Sequence, residues 1–302
     1  MPEQASVIIC TYNRHHLLER ALRALERQSV GLESFEVIVV DDASTDETPR
    51  VCSMMSRELP NMRYYVTDKN LGVGEAGNVA LRHARGEYLL FTDDDCVARE
   101  DWVDHMSAAL ANEHIVAGAI ESPTSSFIRL CHNIDQFHLY MLGRKNGYIR
   151  FIAGANMGLR RSLVEKIGSF EQGRRIGPDT EFGLRACENG YRIFFEPKAV
   201  VVHDPERSDF TTILKHSADH ASETIFLRNR YRLFLHTPFV LRSPLLTLLA
   251  APLIALWVTL GIYGRNPKLA RMFWTAPVVY ALKLAWCWGA ARGLYKERRA
   301  VG

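Results

Sequence analysis

Residues 87–95 read EYLLFTDDD, a mainly apolar run that ends in three consecutive aspartates. The apolar positions are consecutive rather than alternating, which is typical of a strand that is covered on both faces. Asp93, Asp94 and Asp95 would then lie beyond the carboxyl end of the strand, where open parallel sheets bind their ligands. The stretch therefore predicts a buried strand of a parallel sheet with concentrated negative charge at its end.

Strand and helix patterns alternate on both sides of this stretch. Short apolar strands are predicted at residues 7–10, 37–40, 62–66 and 115–120, and helices at 74–85 and 100–112. Such alternation predicts an α/β fold with a doubly wound, mostly parallel sheet and helices on both faces. After residue 121 the pattern loosens, with strands predicted at 151–157, 191–195 and 200–202 and helices at 179–189 and 211–235.

The charge of the 302-residue chain is divided unevenly. Residues 237–302 carry nine Lys or Arg against one acid, a net charge of +8, whereas residues 1–236 have 28 basic and 33 acidic residues, a net charge of −5. An acidic body argues against nucleic-acid binding, and a basic, apolar tail favours an anionic membrane surface. The six cysteines are scattered without paired spacing, which is typical of a reducing compartment.

The tail contains two apolar segments. Residues 243–264 include no charged residue and no histidine, and these 22 residues are long enough to span hydrocarbon. Residues 272–291 form a second apolar segment that only Lys283 interrupts with a charge. We expect a C-terminal apolar helical hairpin that associates with a membrane, either spanning it or lying in its surface. A pair of buried core helices is the alternative.

Polar residues also follow two other predicted strands, as TYNR at 11–14 and as Asp41-Asp42. Clustered carboxylates repel one another, so several at one sheet edge destabilise a fold unless a cation or a ligand compensates. Magnesium and manganese prefer oxygen ligands and bridge protein carboxylates to substrate phosphates. The pattern predicts such a divalent cation, with a solvated acidic loop as the alternative.

Residues 72–77 read GVGEAG and match the G-x-G-x-x-G pattern of dinucleotide-binding enzymes. This match follows the third predicted strand rather than the first, and recognition of a ribose needs one carboxylate rather than three. An oxidoreductase is therefore a minor alternative.

An ordered set of motifs resembles the family 2 glycosyltransferases. The motifs are VIICTYNR (7–14), VVDDAS (39–44), NLGVGEAGN (70–78) and FTDDD (91–95), followed on the acceptor side by GANMG (154–158) and GPDTEFGLR (177–185). They cover roughly the first two-thirds of the chain, and the ordered set is more specific than any one member. The resemblance implies a GT-A fold and inverting transfer of a sugar from a nucleotide-activated donor.

The resemblance also implies roles for individual residues. The donor-binding set would be Thr11, Tyr12, Asn13, Asp41, Asp42, Asn70, Gly74, Asn78, Asp93 and Asp94. An aspartate of the 41–42 pair would read the uracil edge of a UDP-sugar. Asn70, Gly74 and Asn78 would shape the wall beside the diphosphate and the sugar. Asp93 and Asp95 resemble the acids of the D-x-D motif and belong to the expected metal site, with Asp95 the direct ligand of Mn²⁺ or Mg²⁺ and Asp93 near the ribose or the metal. His203 resembles a further metal ligand, and a merely hydrogen-bonded histidine is an equal alternative.

Asp179 corresponds to the general base of the family, which takes the proton of the acceptor hydroxyl. Pro178 stands where the family most often has Glu. Because Asp179 lies near a predicted helix start, an N-cap role is the alternative. Glu181 is the fallback base.

These expectations combine into one domain plan. Residues 1–236 would form the glycosyltransferase domain, with nucleotide-sugar binding in 1–121 and the acceptor side in 122–236, and residues 237–302 the membrane-associating tail. The expected partners are a nucleotide-sugar donor, a lipid-linked or polysaccharide acceptor and membrane lipid at the cytoplasmic face of the cell membrane, without nucleic acid. A GT-A-like nucleotidyltransferase and a non-catalytic nucleotide-sugar-binding membrane protein are the alternatives.

Overall fold

The structure, a computed structural model, describes residues 4–123, 126–207 and 209–301. The chain forms two compact units: unit 1 comprises Met1–Glu121 and Lys145–Pro205, and unit 2 comprises Ser122–Arg144 and Glu206–Gly302. The helices are α1 (His15–Glu26), α2 (Thr48–Glu58), α3 (Val73–His83), α4 (Trp102–Leu110), α5 (Phe127–Phe137), α6 (Arg161–Ile167), α7 (Pro178–Glu188), α8 (Phe210–Arg230), α9 (Arg232–Leu235), α10 (Pro244–Arg265), α11 (Pro267–Ala270) and α12 (Ala276–Val301).

Unit 1 is built on one mixed sheet. Its strands are β1 (Ala5–Thr11), β2 (Phe35–Asp41), β3 (Met62–Val66), β4 (Tyr88–Thr92), β5 (Cys96–Ala98), β6 (Ile115–Glu121), β7 (Gly147–Ile149), β8 (Asn156–Arg160) and β9 (Ile193–His203). They lie in the order β3-β2-β1-β4-β8-β6-β9-β5, and β7 pairs with β9. The first four strands of this order are parallel, as predicted, whereas β8 runs antiparallel to both its neighbours and β5 and β7 run antiparallel to β9.

The strands predicted within residues 1–121 are confirmed. The side chains of β1, β2, β4 and β6 are almost all buried, and α3 packs against β1 and β2. In β3, at the edge of the sheet, Met62 is buried and Val66 is exposed. The strand predicted at 151–157 is wrong, since β8 begins only at Asn156. Ile152 and Ala153 are buried in a connecting segment whose Gly154 N–H binds a side chain rather than a neighbouring strand. The strands predicted at 191–195 and 200–202 are parts of the single strand β9, which passes through a register shift against β6.

The strand order brings the three polar strand ends to one edge of the sheet. β1 lies between β2 and β4, and all three are parallel, so their carboxyl ends are neighbours. Thr11 is in register with Asp41, and the Asp42 N–H donates to the Thr11 carbonyl oxygen at 2.9 Å. Asn156, at the start of β8, is in register with Thr92 at the end of β4.

A buried carboxylate lies near the other ends of these strands. Glu36 accepts hydrogen bonds from Ser6 Oγ and from the Arg85 N–H, each at 2.6 Å, and contacts the Arg63 guanidinium. Burial alone would raise the pKa of Glu36, but these donors and the Arg63 charge hold the pKa below its usual range. Glu36 therefore links β2 to β1 through Ser6 and to β3 through Arg63.

Unit 2 is helical in its described residues, and α12 packs along α8 and against α10 and α5. Gly289 and Gly293 of α12 face the carbonyl oxygens of Ala218 and Ser222 so closely that an added Cβ would overlap them. Small residues four apart allow helix backbones this close approach. This packing places residues 206–236 in the C-terminal unit, a division that differs from the predicted boundary after residue 236. The helix predicted at 211–235 is also interrupted, at Tyr231, between α8 and α9.

The predicted C-terminal hairpin corresponds to α10 and α12, which pack on each other. Among the described residues, α10 is the one helix that is both long enough and apolar enough to cross a membrane. In α12, the Lys283 ammonium lies 2.8 Å from the carboxylate of Asp135 on α5.

Candidate active site

Three carboxylates follow β4 in one turn, which we call the acid cluster: Asp93, Asp94 and Asp95. Asp94 and Asp95 are buried, and the Cys96 N–H donates to the Asp93 carbonyl oxygen at 3.1 Å to close the turn into β5. Burial, and then the charges of its two neighbours, raise the pKa of Asp93 well above its usual range. Burial also raises the pKa of Asp94, with a contribution from Asp95. The surroundings of the acid cluster therefore disfavour simultaneous ionisation of its carboxylates.

The end of β1 partly offsets the negative charge of the acid cluster. Thr11 Oγ1 donates to Asp94 Oδ2 at 2.8 Å. Arg14 Nη1 lies 3.0 Å from Asp94 Oδ1 and 3.7 Å from Asp95 Oδ2. Thr11, predicted to bind the donor, is thus buried as a partner of the acid cluster, and Arg14 is the cation beside it.

The end of β9 brings a histidine to the same cluster. His203 is in register with Cys96 of β5, and its Nε2 lies 3.4 Å from Asp95 Oδ1. Asp95, Cys96 and His203 are buried and each offer one ligand atom, all within 4.8 Å of one another. Burial and the Asp95 charge raise the pKa of the Cys96 thiol, so the carboxylate and the imidazole are the better ligands. The donor set therefore fits a divalent cation.

Asp179 lies in the first turn of α7. Gly177, with a φ of 71°, is the N-cap residue, and no N-cap hydrogen bond from a side chain is formed, so the N-cap alternative for Asp179 is wrong. Asp179 Oδ2 instead accepts the Gly154 N–H at 2.7 Å. Gly154 lies two residues before Asn156, which pairs with Thr92 at the end of β4, so this hydrogen bond places the start of α7 near the acid cluster.

Glu181, the fallback base, lies two residues further along α7 and is buried. Its Oε1 accepts from Arg185 Nε at 3.1 Å, in an ion pair between neighbouring turns of α7. A carboxylate that is paired and buried in this way is poorly placed to take a proton from an acceptor. The geometry favours Asp179 as the base.

The carboxylates of Asp41 and Asp42 accept hydrogen bonds that order the segments next to this edge of the sheet. Asp41 Oδ2 accepts from the Tyr64 hydroxyl at 2.6 Å. The two carboxylate oxygens of Asp42 accept the N–H groups of Leu71 and Gly72, at 2.8 Å and 2.7 Å. The structure thus gives both residues an ordering role, and their contact with a nucleoside stays a prediction.

The turns after β1 and β2 have unusual backbones. Asn13 and Ala43 adopt left-handed conformations, with φ of 52° and 65°. Asn13 Oδ1 accepts the Thr45 N–H at 2.7 Å, which ties the two turns together. Left-handed residues other than glycine are uncommon and cluster at functional sites. Tyr12, beside Asn13, is exposed and offers its ring at this edge.

The predicted wall residues on α3 and the loop before it contact the segment that leads to α7. Asn78 donates to the Phe170 carbonyl oxygen at 3.0 Å and accepts the Phe170 N–H at 2.9 Å. Asn70 Oδ1 contacts the Arg175 guanidinium, and a Cβ added at Gly74 would lie 3.0 Å from the carbonyl oxygen that precedes Arg175. These residues therefore position the 170–177 segment beside the site, and direct contact with a donor stays a prediction.

The roles of three residues near the site were not predicted from the sequence: Arg14, Cys96 and Asn156. Arg14 and Cys96 reach the acid cluster through the arrangement of neighbouring strands, which the sequence does not specify. Asn156, buried at the start of β8, accepts from Trp102 Nε1 and donates to the Ala119 carbonyl oxygen, each at 2.8 Å. A polar amide within an otherwise apolar strand was the available signal for Asn156.

Comparison with known proteins identifies the family. Residues 6–168 match Glycosyl transferase family 2, and residues 89–288 match Glycosyl transferase family group 2. The glycosyltransferase AglE of Haloferax volcanii is 24% identical over 292 residues, which cover 93% of this chain and 91% of AglE. The poly(ribitol-phosphate) beta-N-acetylglucosaminyltransferase TarS of Staphylococcus aureus is 39% identical over 111 residues, which cover 36% of this chain and 19% of TarS.

Solved structures share the fold. The mannosyltransferase PcManGT from Pyrobaculum calidifontis, in complex with GDP-Man and Mn²⁺, matches with a TM-score of 0.58 at 21% identity, over 100% of this chain and 78% of that one. This likeness confirms the predicted GT-A-type α/β fold. The family match spans more than half of the chain and includes the acid cluster. The chain therefore belongs to glycosyl transferase family 2, and it is a glycosyltransferase.

Proposed function

We propose that the protein is a metal-dependent, inverting enzyme that moves a sugar from a nucleoside-diphosphate donor, a UDP-sugar, to a hydroxyl of a lipid-linked or polysaccharide acceptor. The observation that carries this proposal is the convergence of the acid cluster, His203 and Asp179 at one sheet edge. Each comes from a different part of the chain, so their proximity results from the fold rather than from local sequence.

The crowding of carboxylates in the acid cluster supports a bound cation. Asp95 and His203 would hold Mn²⁺ or Mg²⁺, with Asp93 beside them. When bound, such an ion offsets the negative charge of a departing diphosphate. PcManGT is in complex with GDP-Man and Mn²⁺, which supports a nucleotide sugar and a divalent cation in this chain as well.

Asp179 is the proposed base. Because its Oδ2 accepts the Gly154 N–H, we assign the proton of the acceptor hydroxyl to Oδ1. The hydroxyl oxygen bonds to the anomeric carbon while the bond from that carbon to the diphosphate oxygen breaks, and the electron pair leaves with the nucleoside diphosphate. Attack on the face opposite the leaving group inverts the anomeric centre. A positioned base typically contributes about 10²–10⁴ in rate.

We also place the protein at the cytoplasmic face of the cell membrane. The net charge of +8 in residues 237–302 and the apolar length of α10 support this location. A membrane location in turn favours a lipid-linked acceptor over a free soluble sugar.

The test is a panel of UDP- and GDP-sugars with manganese, following release of the nucleoside diphosphate and, separately, donor binding by calorimetry. Asp95→Ala is expected to lose metal-dependent donor binding, whereas Asp179→Asn keeps donor binding and loses transfer. Asp104→Asn, at an exposed carboxylate on α4, is the matched control and should match wild type. Equal transfer by all of these proteins would refute the mechanism.

The same panel separates the alternatives. Release of pyrophosphate rather than a nucleoside diphosphate would indicate a nucleotidyltransferase. Donor binding by wild type without turnover of any donor and acceptor pair would indicate a non-catalytic nucleotide-sugar-binding protein.

A further inference from the structure

One side of α10 is apolar and exposed along the length of the helix. Its side chains, which we call the α10 face, are Leu245, Leu249, Leu253, Leu256, Trp257 and Leu260. Leu253 and Trp257 are 72% and 74% exposed. The buried side of α10 carries small residues such as Thr247, Ala251 and Ala255. Scattered surface leucines need no explanation, but a contiguous apolar row of this length marks an interaction surface.

The residues that flank the α10 face suit the surface of an anionic membrane. Exposed cations lie at both ends of the helix: Arg242 before it, and Arg265, Lys268 and Arg271 at or after its end. Residues 237–296 contain no acidic side chain to oppose them. Exposed aromatic rings accompany these cations, at Phe239 before α10 and at Phe273 and Trp274 after α11. Basic and aromatic residues beside an apolar face are typical of membrane–water interfaces.

A cavity of about 110 Å³ adjoins the C-terminal half of the α10 face. Its lining combines the polar side chains of Arg144, Arg265 and Asn266 with the ring of Trp257. Guanidinium groups recognise phosphate oxygens through paired, charge-assisted hydrogen bonds. The cavity therefore fits the phosphate of a lipid whose acyl chains continue along the α10 face.

The packing of α12 argues against a spanning hairpin. α8 lies against α12 at Gly289 and Gly293, and the Arg292 guanidinium lies 2.6 Å from the Asp219 carboxylate of α8. If α12 crossed a bilayer beside α10, α8 would be drawn into hydrocarbon with it. Lys215 and Glu223 on α8 are exposed, and charged side chains in hydrocarbon are strongly disfavoured. Of the two long helices of the described tail, α10 rather than α12 is therefore suited to contact lipid.

We propose that α10 lies in the surface of an anionic bilayer rather than crossing it, with the α10 face among the upper acyl chains and Arg144 and Arg265 at lipid phosphates. This inference rests on the membrane association proposed above and specifies its geometry. It is independent of the chemistry at the acid cluster.

The first experiment is flotation of the full-length protein with sealed phosphatidylcholine vesicles, with and without phosphatidylglycerol. The double variant Leu253→Ser/Trp257→Ser should partition at least about tenfold more weakly, because two large apolar side chains no longer enter the membrane. Met54→Ser, at an exposed apolar residue on α2, is the matched control and should float like wild type. Wild-type flotation of the double variant would overturn the proposal.

The second flotation experiment tests the contribution of charge with the double variant Arg144→Gln/Arg265→Gln. This variant should lose most of the preference for vesicles that contain phosphatidylglycerol, and added salt should reduce that preference in wild type. An unchanged preference would overturn the assignment of these arginines to lipid phosphates.

The depth of Trp257 separates surface docking from spanning. Trp257 lies near the middle of α10, so a spanning helix would place it near the bilayer centre. Quenching is measured as the fluorescence difference between wild type and Trp257→Phe, with nitroxide labels near the lipid headgroup or near the acyl-chain end. Stronger quenching by the shallow label is expected, and stronger quenching by the deep label would overturn surface docking.

Two further outcomes identify other failures. Absence of vesicle binding, with normal sugar transfer by the same preparation, would overturn membrane association and leave the proposed function intact. A wild-type dimer that Leu253→Ser/Trp257→Ser converts to a monomer, without vesicle binding, would assign the α10 face to contact between two copies of the chain.

Discussion

Replacing Arg14 by Gln removes the cation that lies beside the acid cluster. The Arg14 guanidinium is 3.0 Å from Asp94 and 3.7 Å from Asp95. Two unit charges about 4 Å apart interact by about 4 kcal/mol at an effective dielectric constant near 20. The Arg14 side chain is 43% exposed, so solvent screens much of this energy. We therefore expect Arg14→Gln to lower the free energy of unfolding by about 1–3 kcal/mol in metal-free protein.

The assay is differential scanning calorimetry in EDTA and in manganese. The expected loss corresponds to a fall in Tm of about 2–6 °C in EDTA. Manganese should raise the Tm of Arg14→Gln more than that of wild type, because a cation in the acid cluster replaces the missing charge. Arg50→Gln is the control, since Arg50 forms an exposed ion pair with Glu47 on α2 and its loss should change Tm little.

Two results would refute this reasoning. An unchanged Tm of Arg14→Gln in EDTA would mean that the three carboxylates do not depend on the guanidinium. An equal gain from manganese in Arg14→Gln and in wild type would mean that the cation does not enter the acid cluster.

Three further changes test the scaffold. The pKa of Glu36 is lowered in the folded protein, so its carboxylate stabilises the fold above the unfolded-state pKa, and this stabilisation is lost as pH falls through the folded-state pKa. Glu36→Gln should therefore flatten the fall in the free energy of unfolding below about pH 5, measured by urea titrations. Asn78→Ala leaves the N–H and carbonyl groups of Phe170 without their amide partner and should cost about 2–4 kcal/mol in urea unfolding. Gly289→Leu should lower the Tm in calorimetry by forcing α12 away from α8, whereas Gly264→Leu, with open space around it, should not.

The nucleotide-sugar half of the fold was predictable because its signals are local. The runs that became β1, β2 and β4 are apolar at consecutive positions, and alternating helices imply that such strands are parallel neighbours. Once the strands are parallel, their polar ends must share an edge. The antiparallel insertion of β8 between β4 and β6 was not predictable, because strand pairing is a non-local property and residues 151–155 are as apolar as a strand.

The candidate metal ligands could be predicted from the sequence, but the cation that partly offsets the charge of the acid cluster could not. The resemblance implied Asp95 and His203 as ligands of one cation, with a hydrogen-bonded histidine as the equal alternative, and the structure places Asp95 Oδ1 3.4 Å from His203 Nε2. The compensation by Arg14 depends on how the turn after β1 lies against the turn after β4, which no spacing along the chain specifies. The same limit explains why the two hydrogen bonds between the Asn78 amide and the backbone of Phe170 were not predicted.

The two apolar segments of the tail show why composition alone cannot distinguish a membrane-facing helix from a core helix. Residues 243–264 and 272–291 are both mainly apolar, yet α10 exposes large side chains whereas the α12 glycines contact α8. The distinguishing residues are Lys283, which is paired with a buried carboxylate, and the two glycines four positions apart. Burial raises the pKa of Asp135, but the Lys283 charge and the hydrogen bonds from Lys283 and Gln136 together hold this pKa below its usual range. A helix that must satisfy such a pair within the protein cannot also turn that side to lipid, and surface contact with a membrane is left to the α10 face.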